Sequence, residues 1–365
     1  MGRQEQTNHL FSNRDLRILL VPLIVEQILN SLMGTADSIM VSNVGSAAIS
    51  AVSLVDSINI LVIQAFYALA AGGTIVCSQY IGQKDKKNAE ESARQLSFVV
   101  ACISSAVMAV CLLTRGPLLR LIFGSVEADV MEAAQTYFFY TALSFPFIAL
   151  YDAGSSIYRA QGNTRLPMTI AVVSNGLNIA GNAVLIWGFH LGVAGAAIAT
   201  CLGYCVPSIV GLVYFTKNRT GSLYFVPFKF DGATLAAACG NGSSEMVSNI
   251  ANAITTFVFN TLFMRYRGED GVAAITIAMY FQFVFTAVYF GFSMGVAPVI
   301  SYKFGEKNIP QLRHIFRICM TFVLACSLGT YVLSWLTLEP ALTLFTPRGS
   351  SVYEIATVSY THLRA

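Results

Sequence analysis

Five acidic residues stand inside long apolar stretches of this 365-residue chain. They are Glu26, Asp37, Asp56, Asp152 and Glu245. A charge at the centre of a bilayer costs roughly 2.5–3.5 kcal/mol, so ionisable groups at that depth usually bind ions, protons or substrates. Glu26 and Asp37 are eleven residues apart. That spacing is about three helical turns, so we expect both on nearly one face, about 16 Å apart.

A stripe of amides accompanies these acids. Asn175, Asn178 and Asn182 follow an i, i+3, i+7 spacing, which places them on one helical face. An amide oxygen can coordinate a cation, but an amide cannot release a proton. The stripe is therefore compatible with a cation site and equally with hydrogen bonds between packed helices.

Two further polar faces predict a cavity. Glu245, Asn249, Asn252 and Thr256 share one face of a later stretch, and the next stretch repeats this spacing at Gln282, Thr286, Tyr289 and Ser293. Aromatic residues surround the second face. We predict that six residues line a substrate cavity: Glu26, Glu245, Asn249, Asn252, Gln282 and Tyr289. An aromatic cavity with a few acids suits organic cations, whereas ordinary bundle packing is the alternative for the aromatic residues.

The composition indicates an all-α integral membrane protein. Hydrophobic residues make up 55% of the chain and charged residues only 11%, against about 25% charged residues in a soluble domain. The net charge of +3 is too small and too scattered to predict nucleic-acid binding. No hydrolase, zinc or phosphate-loop motif is present, and the eight cysteines form no CxxC pair. We therefore expect no enzyme activity and no cofactor.

Nine stretches are long enough to cross a bilayer, and a tenth begins near Ser350 and stops almost at once. Their approximate bounds are 16–40, 50–80, 93–114, 130–158, 166–187, 192–216, 236–264, 271–301 and 313–336. With the N-terminus in the cytoplasm, the inside segments hold 16 basic residues, Arg159 among them, and the outside segments hold five. This bias predicts a multi-pass protein of the plasma membrane with a cytoplasmic N-terminus.

The chain also repeats itself. Residues 45–50 resemble 271–276 at an offset of 226, and Gly82 and Lys84 match Gly305 and Lys307 at an offset of 223. The period spans six helices, so both halves enter the membrane from the same side, and a pseudo-twofold axis along the membrane normal follows. We predict a six-helix N-lobe over 1–216, a cytoplasmic linker over 217–231 and a partial C-lobe over 232–365.

Several short motifs together carry a family resemblance. Residues 36–42, 45–53, 72–74, 79–82, 177–179 and 192–200 read ADSIMVS, GSAAISAVS, GGT, QYIG, LNI and GVAGAAIAT. This combination resembles the multidrug and toxic compound extrusion (MATE) family of cation-coupled efflux transporters, from about residue 15 to 345. The resemblance implies twelve helices in two lobes. Only nine are complete here, so we expect a chain truncated within the C-lobe, with an altered sequence after about residue 358.

The resemblance also implies a cation site in the N-lobe. Asp37, Asn178 and Thr200 match residues of the family's proton or sodium site, and Asn182 falls where many members have an aspartate. The implied coupling ion is H⁺ or Na⁺, with Asp37 as the Na⁺ ligand. The alternative is that Asp37 only caps or anchors its helix near the outer interface. At an offset of 226 the second half has Phe263 instead of an acid, so coupling is expected in the N-lobe alone.

Three functions are weighed on this basis. The first is export of organic cations, in exchange for H⁺ or Na⁺, by alternating access of a monomer in contact with membrane lipid. The second is a lipid-linked saccharide flippase of the same superfamily, which would be expected to have a more basic cavity than these acids provide. The third is an unrelated membrane enzyme or receptor. An enzyme requires convergent catalytic groups that the sequence does not offer.

Overall fold

The computed structural model describes residues 13–42, 44–124, 127–217, 230–345, 349–350 and 353–357. Every regular element in these residues is helical, which confirms the predicted all-α fold. The helices are α1 (Asn13–Ser42), α2 (Ser46–Gly82), α3 (Lys86–Phe123), α4 (Ala128–Ala160), α5 (Arg165–Asn182), a π-helical segment (Ala183–Gly188), α6 (Gly192–Lys217), α7 (Gly232–Gly305) and α8 (Ile309–Phe345). By length and composition, five segments of the described chain could each cross a membrane.

The two sides of the bundle are named from the chain path. We call the side at which α2, α4 and α6 end, and α7 begins, the linker side, and the opposite side the far side. Most of the predicted linker, residues 218–229, lies outside the described residues, as does the tail after 358 that was predicted to be altered. The N-lobe core is built around α4, whose Phe138 and Phe145 are fully buried, and Phe145 meets Phe66 of α2 edge to face.

The predicted repeat is visible in the backbone on the linker side. Lys84 and Lys307, which are 223 residues apart, both adopt the left-handed conformation, with φ of 61° and 57°. The following residue starts a helix in each case. An Asp85 carboxylate oxygen accepts from the N–H of Asn88 at 3.2 Å, and the Asn308 amide oxygen accepts from the N–H of Gln311 at 3.2 Å. Equivalent residues thus build the same turn and the same cap in both halves.

The second half differs from the sequence prediction in one respect. Helices predicted over 236–264 and 271–301 form one 74-residue helical element, α7. A straight helix of that length would span about 110 Å. Yet Ala238 near its start contacts Gly72, and Tyr302 near its end contacts Gly82, on the same helix α2. The element must therefore reverse direction, giving a first arm that contains residues 238–249 and a second arm that contains residues 289–305.

The segment 265–270, which separates the two predicted helices, is also helical. It contains no proline and has the helix formers Arg265, Arg267 and Glu269, although Gly268 among them is a poor helix former. The two predicted helices thus correspond to the two antiparallel arms, and the helical assignment continues through the segment between them.

The lobes meet on the linker side through glycines. A Cβ atom on Gly82 would lie 2.0 Å from the carbonyl oxygen of Tyr302, and one on Gly305 would lie 2.1 Å from the carbonyl oxygen of Gln79. Both pairs match at the offset of 223, so the contact is reciprocal, as a pseudo-twofold axis requires. Gly72 and Gly242 make a second close crossing nearby. A Cβ atom added to Gly72 would lie 1.9 Å from the Ala238 oxygen, and one added to Gly242 would lie 2.2 Å from the Ala68 oxygen.

Helices α1 and α8 flank the second arm of α7. Gly291 lies against Ile24 of α1, and the Gln27 amide nitrogen is 3.1 Å from the sulfur of Met294. On the other side, Phe292 stacks on Phe322 of α8 with ring centroids 4.1 Å apart. Most of the remaining apolar surface of α8 is exposed.

Candidate functional site: two buried polar clusters

The structure brings the four predicted cation-site residues together near the far side. The side-chain N–H₂ of Asn182 donates to a carboxylate oxygen of Asp37 and lies 3.3 Å from the amide oxygen of Asn178. Asn178 in turn donates to the hydroxyl of Thr200 at 3.2 Å. We call Asp37, Asn178, Asn182 and Thr200 the far-side cluster. It joins α1, α5 and α6 in one chain of hydrogen bonds.

Small residues allow this convergence. A Cβ on Gly181 would lie 3.0 Å from the Cβ of Ala199, and one on Gly203 would lie 3.2 Å from the backbone oxygen of Ser174. Ser174 also donates its hydroxyl proton to the carbonyl of Gly203 at 2.5 Å. The resulting close approach of α5 and α6 places Asn178 within reach of Thr200. Directly after Asn182 the chain changes to π-helical turns over Ala183–Gly188, a feature often found at functional sites.

One hydrogen-bond acceptor in the far-side cluster is unsatisfied among the described residues. Asn178 and Asn182 are fully buried, and the amide oxygen of Asn182 has no hydrogen-bond partner among the described residues. A buried acceptor of this kind calls for a donor or a cation. The third amide of the stripe, Asn175, is also buried but does not join the chain of hydrogen bonds described above.

Asp56 lies close to the far-side cluster, and no role was assigned to it from the sequence. One of its carboxylate oxygens accepts from the hydroxyl of Tyr137 at 3.2 Å and from the amide of Asn59 at 3.3 Å. Its charge also acts on Asp37. The signal available in the sequence was an acid two to three turns inside an apolar helix, in the same far-side half of the bundle as Asp37.

Five of the six predicted cavity residues have described side chains, and these five have different neighbours. Glu26 is 1% exposed, and its carboxylate accepts from the Arg159 guanidinium at 2.8 Å. Glu245 is half-buried on the first arm of α7, and Asn249 donates to the amide oxygen of Gln64 on α2 at 2.9 Å. Asn252 is exposed.

The last two cavity residues belong to the second arm of α7. The Tyr289 hydroxyl lies 3.3 Å from that of Ser327 on α8. The side chain of Gln282 falls outside the described part of the chain. Tyr289 thus points toward α8, while Glu245 and Asn249 face α2, so the two arms present these polar groups to different neighbours.

Arg159 is a buried charged residue that sequence reasoning misplaced. It was counted among the basic residues of the inside segments, but it is 7% exposed in the last turn of α4. Burial is possible because Glu26 supplies an opposite charge that the long guanidinium side chain can reach. The sequence contained a signal that was not used. Glu26 is an acid at membrane depth that needs an opposite charge, and Arg159 is a basic residue seven positions after Asp152.

Comparisons with known proteins agree with this architecture. The family model described as MatE matches residues 22–184 and 246–362. The two matched segments begin 224 residues apart, close to the offsets of 223 and 226 in the internal repeat. The matched residues cover both lobes and include Asp37, Asn178 and Asn182 of the far-side cluster.

Two curated relatives are transporters by name. "Uncharacterized transporter YisQ" of Bacillus subtilis (strain 168) is 33% identical over 218 residues, which cover 59% of this chain and 46% of YisQ. "Multidrug export protein MepA" of Staphylococcus haemolyticus (strain JCSC1435) is 26% identical over 317 residues, which cover 83% of this chain and 69% of MepA. The chain thus spans about half the length of YisQ and about two thirds of MepA.

A solved structure has the same fold. It is described as the crystal structure of MATE in the straight conformation, and it superposes with a TM-score of 0.89 at 22% sequence identity. The superposition covers 96% of this chain and 78% of that chain. The helical bundle with two lobes is therefore a known transporter architecture.

Proposed function

Because this chain belongs to the MatE family, we propose that it forms most of a secondary transporter that exports organic cations in exchange for H⁺ or Na⁺. The observation that carries the proposal is the far-side cluster, in which one carboxylate is surrounded by neutral amide and hydroxyl groups. The name of MepA, a multidrug export protein, supports a role in transport rather than in catalysis.

The far-side cluster suits reversible cation binding. Its single negative charge is on Asp37, which accepts from the amide of Asn182, and the other two members, Asn178 and Thr200, are neutral and bonded to each other. A buried carboxylate without a cationic partner is costly, so a bound Na⁺ or a proton would stabilise it. Na⁺ is a hard cation that takes oxygen ligands, and the oxygens of Asp37, Asn182 and Thr200 offer that chemistry. A proton would instead neutralise Asp37 directly.

The arrangement of the lobes suggests how binding on the far side is connected to transport. The lobes cross closely on the linker side through Gly82 and Gly305. We take this arrangement as a state closed on the linker side, which the excess of basic residues assigns to the cytoplasm of the plasma membrane. Export then requires that cation binding on the far side shifts the equilibrium between this state and one that opens on the linker side.

The driving force is sufficient for export. A proton moving through about 100 mV supplies roughly 2.3 kcal/mol, and each pH unit adds about 1.4 kcal/mol. For a monovalent cation exchanged one for one, the voltage contributions cancel and only the pH difference drives export. At about 1.4 kcal/mol per tenfold, each pH unit then sustains roughly a tenfold gradient of substrate.

The substrate is proposed to bind between the lobes. Glu245 and Asn249 lie where the first arm of α7 faces α2, and a half-buried carboxylate there would attract an organic cation. We expect the transporter to act as a monomer in contact with lipid.

The test is substrate flux into liposomes that contain the full-length protein, driven by an imposed pH or Na⁺ gradient. Asp37→Asn is expected to keep the fold and to lose gradient-driven flux by at least about tenfold, because an amide cannot exchange a proton. Asp129→Asn is the matched control, since Asp129 is an exposed acid on the far side. Flux by Asp37→Asn at the wild-type rate would remove Asp37 from the coupling mechanism.

A further inference from the structure

A second buried polar cluster lies in the linker-side half of the N-lobe. Arg159, in the last turn of α4, donates to a carboxylate oxygen of Glu26 on α1 at 2.8 Å. The side chains are 7% and 2% exposed. Asp152 lies seven residues before Arg159 on α4, hence on nearly the same helical face about 10 Å away along the axis. We call Glu26, Asp152 and Arg159 the linker-side cluster.

The ion pair leaves polar atoms unsatisfied. The second carboxylate oxygen of Glu26 and the Nε–H of Arg159 are both buried and have no hydrogen-bond partner among the described residues. A buried ion pair is stable only when additional hydrogen bonds satisfy its remaining donors and acceptors. The site therefore calls for a small polar ligand that can donate to Glu26 and accept from Arg159, and water meets both requirements.

The charges of the linker-side cluster do not balance. Only Glu26 forms an ion pair with Arg159 in the cluster, while the charges of both act on Asp152 over a longer distance. With Asp152 ionised, the three side chains together have a net charge of minus one. The other titratable groups that act on its members can add no positive charge. They are Tyr67 on α2, Tyr151 on α4, Tyr204 on α6 and, through Tyr67, Glu245 on the first arm of α7.

We propose that Glu26, Asp152 and Arg159 form a second proton-binding site of the N-lobe, separate from Asp37. Uptake of one proton makes the cluster neutral, which removes the free-energy penalty of an uncompensated buried charge. Asp152 takes the proton, because Glu26 remains in its hydrogen bond with Arg159. Asp152 is also partly exposed, so water can deliver the proton to it.

The site is distinct from the far-side cluster but not remote from it. Glu26 and Asp37 are eleven residues apart on α1, about 16 Å along the helix axis. Tyr204 on α6 is within electrostatic range of both clusters, because the charges of both Asp152 and Asp37 act on it. A proton at Asp152 is therefore positioned to influence, and to be influenced by, the charge state of the far-side cluster. The inference stands whether or not Asp37 couples transport.

Infrared difference spectroscopy tests the proposal on the full-length protein in lipid nanodiscs. A protonated carboxyl has a carbonyl stretch that a carboxylate lacks, so a pH titration reports each buried carboxyl that binds a proton. The wild-type spectrum is expected to contain a carbonyl band that Asp152→Asn loses and Asp37→Asn keeps. An unchanged set of bands in folded Asp152→Asn, across the whole titration, overturns the proposal.

Two further variants keep the test decisive if Asp152→Asn does not fold. Asp152→Glu retains a carboxyl, so the band is expected to shift in frequency rather than disappear, and a band that does not move contradicts the assignment. Arg159→Gln removes the only cation of the cluster, so both carboxyls must be neutralised and one additional proton is expected per protein. The band should not respond to added Na⁺, because the arginine already supplies the positive charge. Loss of the band on Na⁺ addition would instead indicate a metal-cation site.

Discussion

The two buried clusters of the N-lobe hold their carboxylates with different partners. On the far side, Asp37 is met by the amide of Asn182, and the cluster contains no fixed positive charge. On the linker side, Glu26 is met by the guanidinium of Arg159 at 2.8 Å. A carboxylate held by neutral dipoles can exchange one mobile cation for another, whereas one held by arginine is neutralised permanently. The partner, rather than the acid, decides whether Asp37 or Glu26 can exchange ions, and proton exchange in the linker-side cluster is assigned to Asp152.

The largest effect is expected when the permanent partner is removed. Arg159→Met leaves Glu26 buried without an opposite charge, which should destabilise the fold by about 3–5 kcal/mol. Thermal unfolding in detergent measures this as a large fall in Tm. The double variant Glu26→Leu with Arg159→Met should recover most of the loss, because it replaces both charges by apolar groups.

Arg165→Met is the matched control for this experiment. Arg165 is exposed at the start of α5, so its loss should change the Tm little. If Arg159→Met and Arg165→Met unfold at the same temperature, the Glu26–Arg159 pair does not anchor α1 to α4. The contrast between a permanent and an exchangeable partner would then fail.

A second contrast separates the linker side, where the lobes cross, from the interior of the N-lobe. Gly82→Ala places a methyl group 2.0 Å from the carbonyl oxygen of Tyr302. Overpacking of this kind costs roughly 1–3 kcal/mol, and it acts only on the state in which the lobes touch. The equilibrium should therefore shift by about 5- to 150-fold toward states that are open on the linker side.

Accessibility of an introduced cysteine measures the shift. A cysteine at Ser301, which is buried beside the crossing, should react faster in the Gly82→Ala background. Gly305→Ala should act in the same way, because its contact with Gln79 is the reciprocal one. Gly154→Ala and Gly176→Ala are controls, since neither added methyl group meets a neighbour within 4 Å. Equal reactivity in all four backgrounds would show that the glycine crossing does not close the linker side.

Much of the fold could be predicted because hydropathy and charge determine it. The stretch 50–80 corresponds to α2, Ser46–Gly82, and 192–216 corresponds to α6, Gly192–Lys217. The repeat was visible because its turn needs the same residues twice, a glycine at 82 and 305 and a left-handed lysine at 84 and 307. The continuity of α7 was not predictable from hydropathy, since a charged segment resembles a loop whether or not it stays helical.

The far-side cluster was more predictable than the linker-side cluster for a related reason. Asn178 and Asn182 are four residues apart on one helix, so local geometry brings them together, and the family motifs pointed to Asp37 and Thr200. The Glu26–Arg159 pair joins residues 133 positions apart. Arg159 stands at a helix end, where arginine is expected to face solvent. Only the packing of α1 against the rest of the lobe reveals that it turns inward.

The smallest expected effect concerns an acid outside the membrane-spanning region, which sharpens the contrast with the two buried clusters. Asp231 is exposed before the first turn of α7 and accepts from the Thr234 hydroxyl at 2.6 Å, with further bonds from the N–H groups of Ala233 and Thr234. The Thr234 hydroxyl first, and then the backbone N–H of Ala233, lower the pKa of Asp231 below its ordinary value by favouring the carboxylate. Because the folded-state pKa is the lower one, the stabilising cap is complete above the ordinary pKa of aspartate, about 3.9. It is lost as the pH falls through the lowered value.

Hydrogen exchange of the first-turn amides of α7 should therefore be slow at pH 7 and should accelerate below about pH 4, beyond the intrinsic pH dependence of exchange. Asp231→Asn should cap the helix at both pH values and lose this pH dependence, whereas Asp231→Ala should exchange quickly at both. If Asp231→Asn shows the same pH dependence as the wild type, another group controls the start of α7.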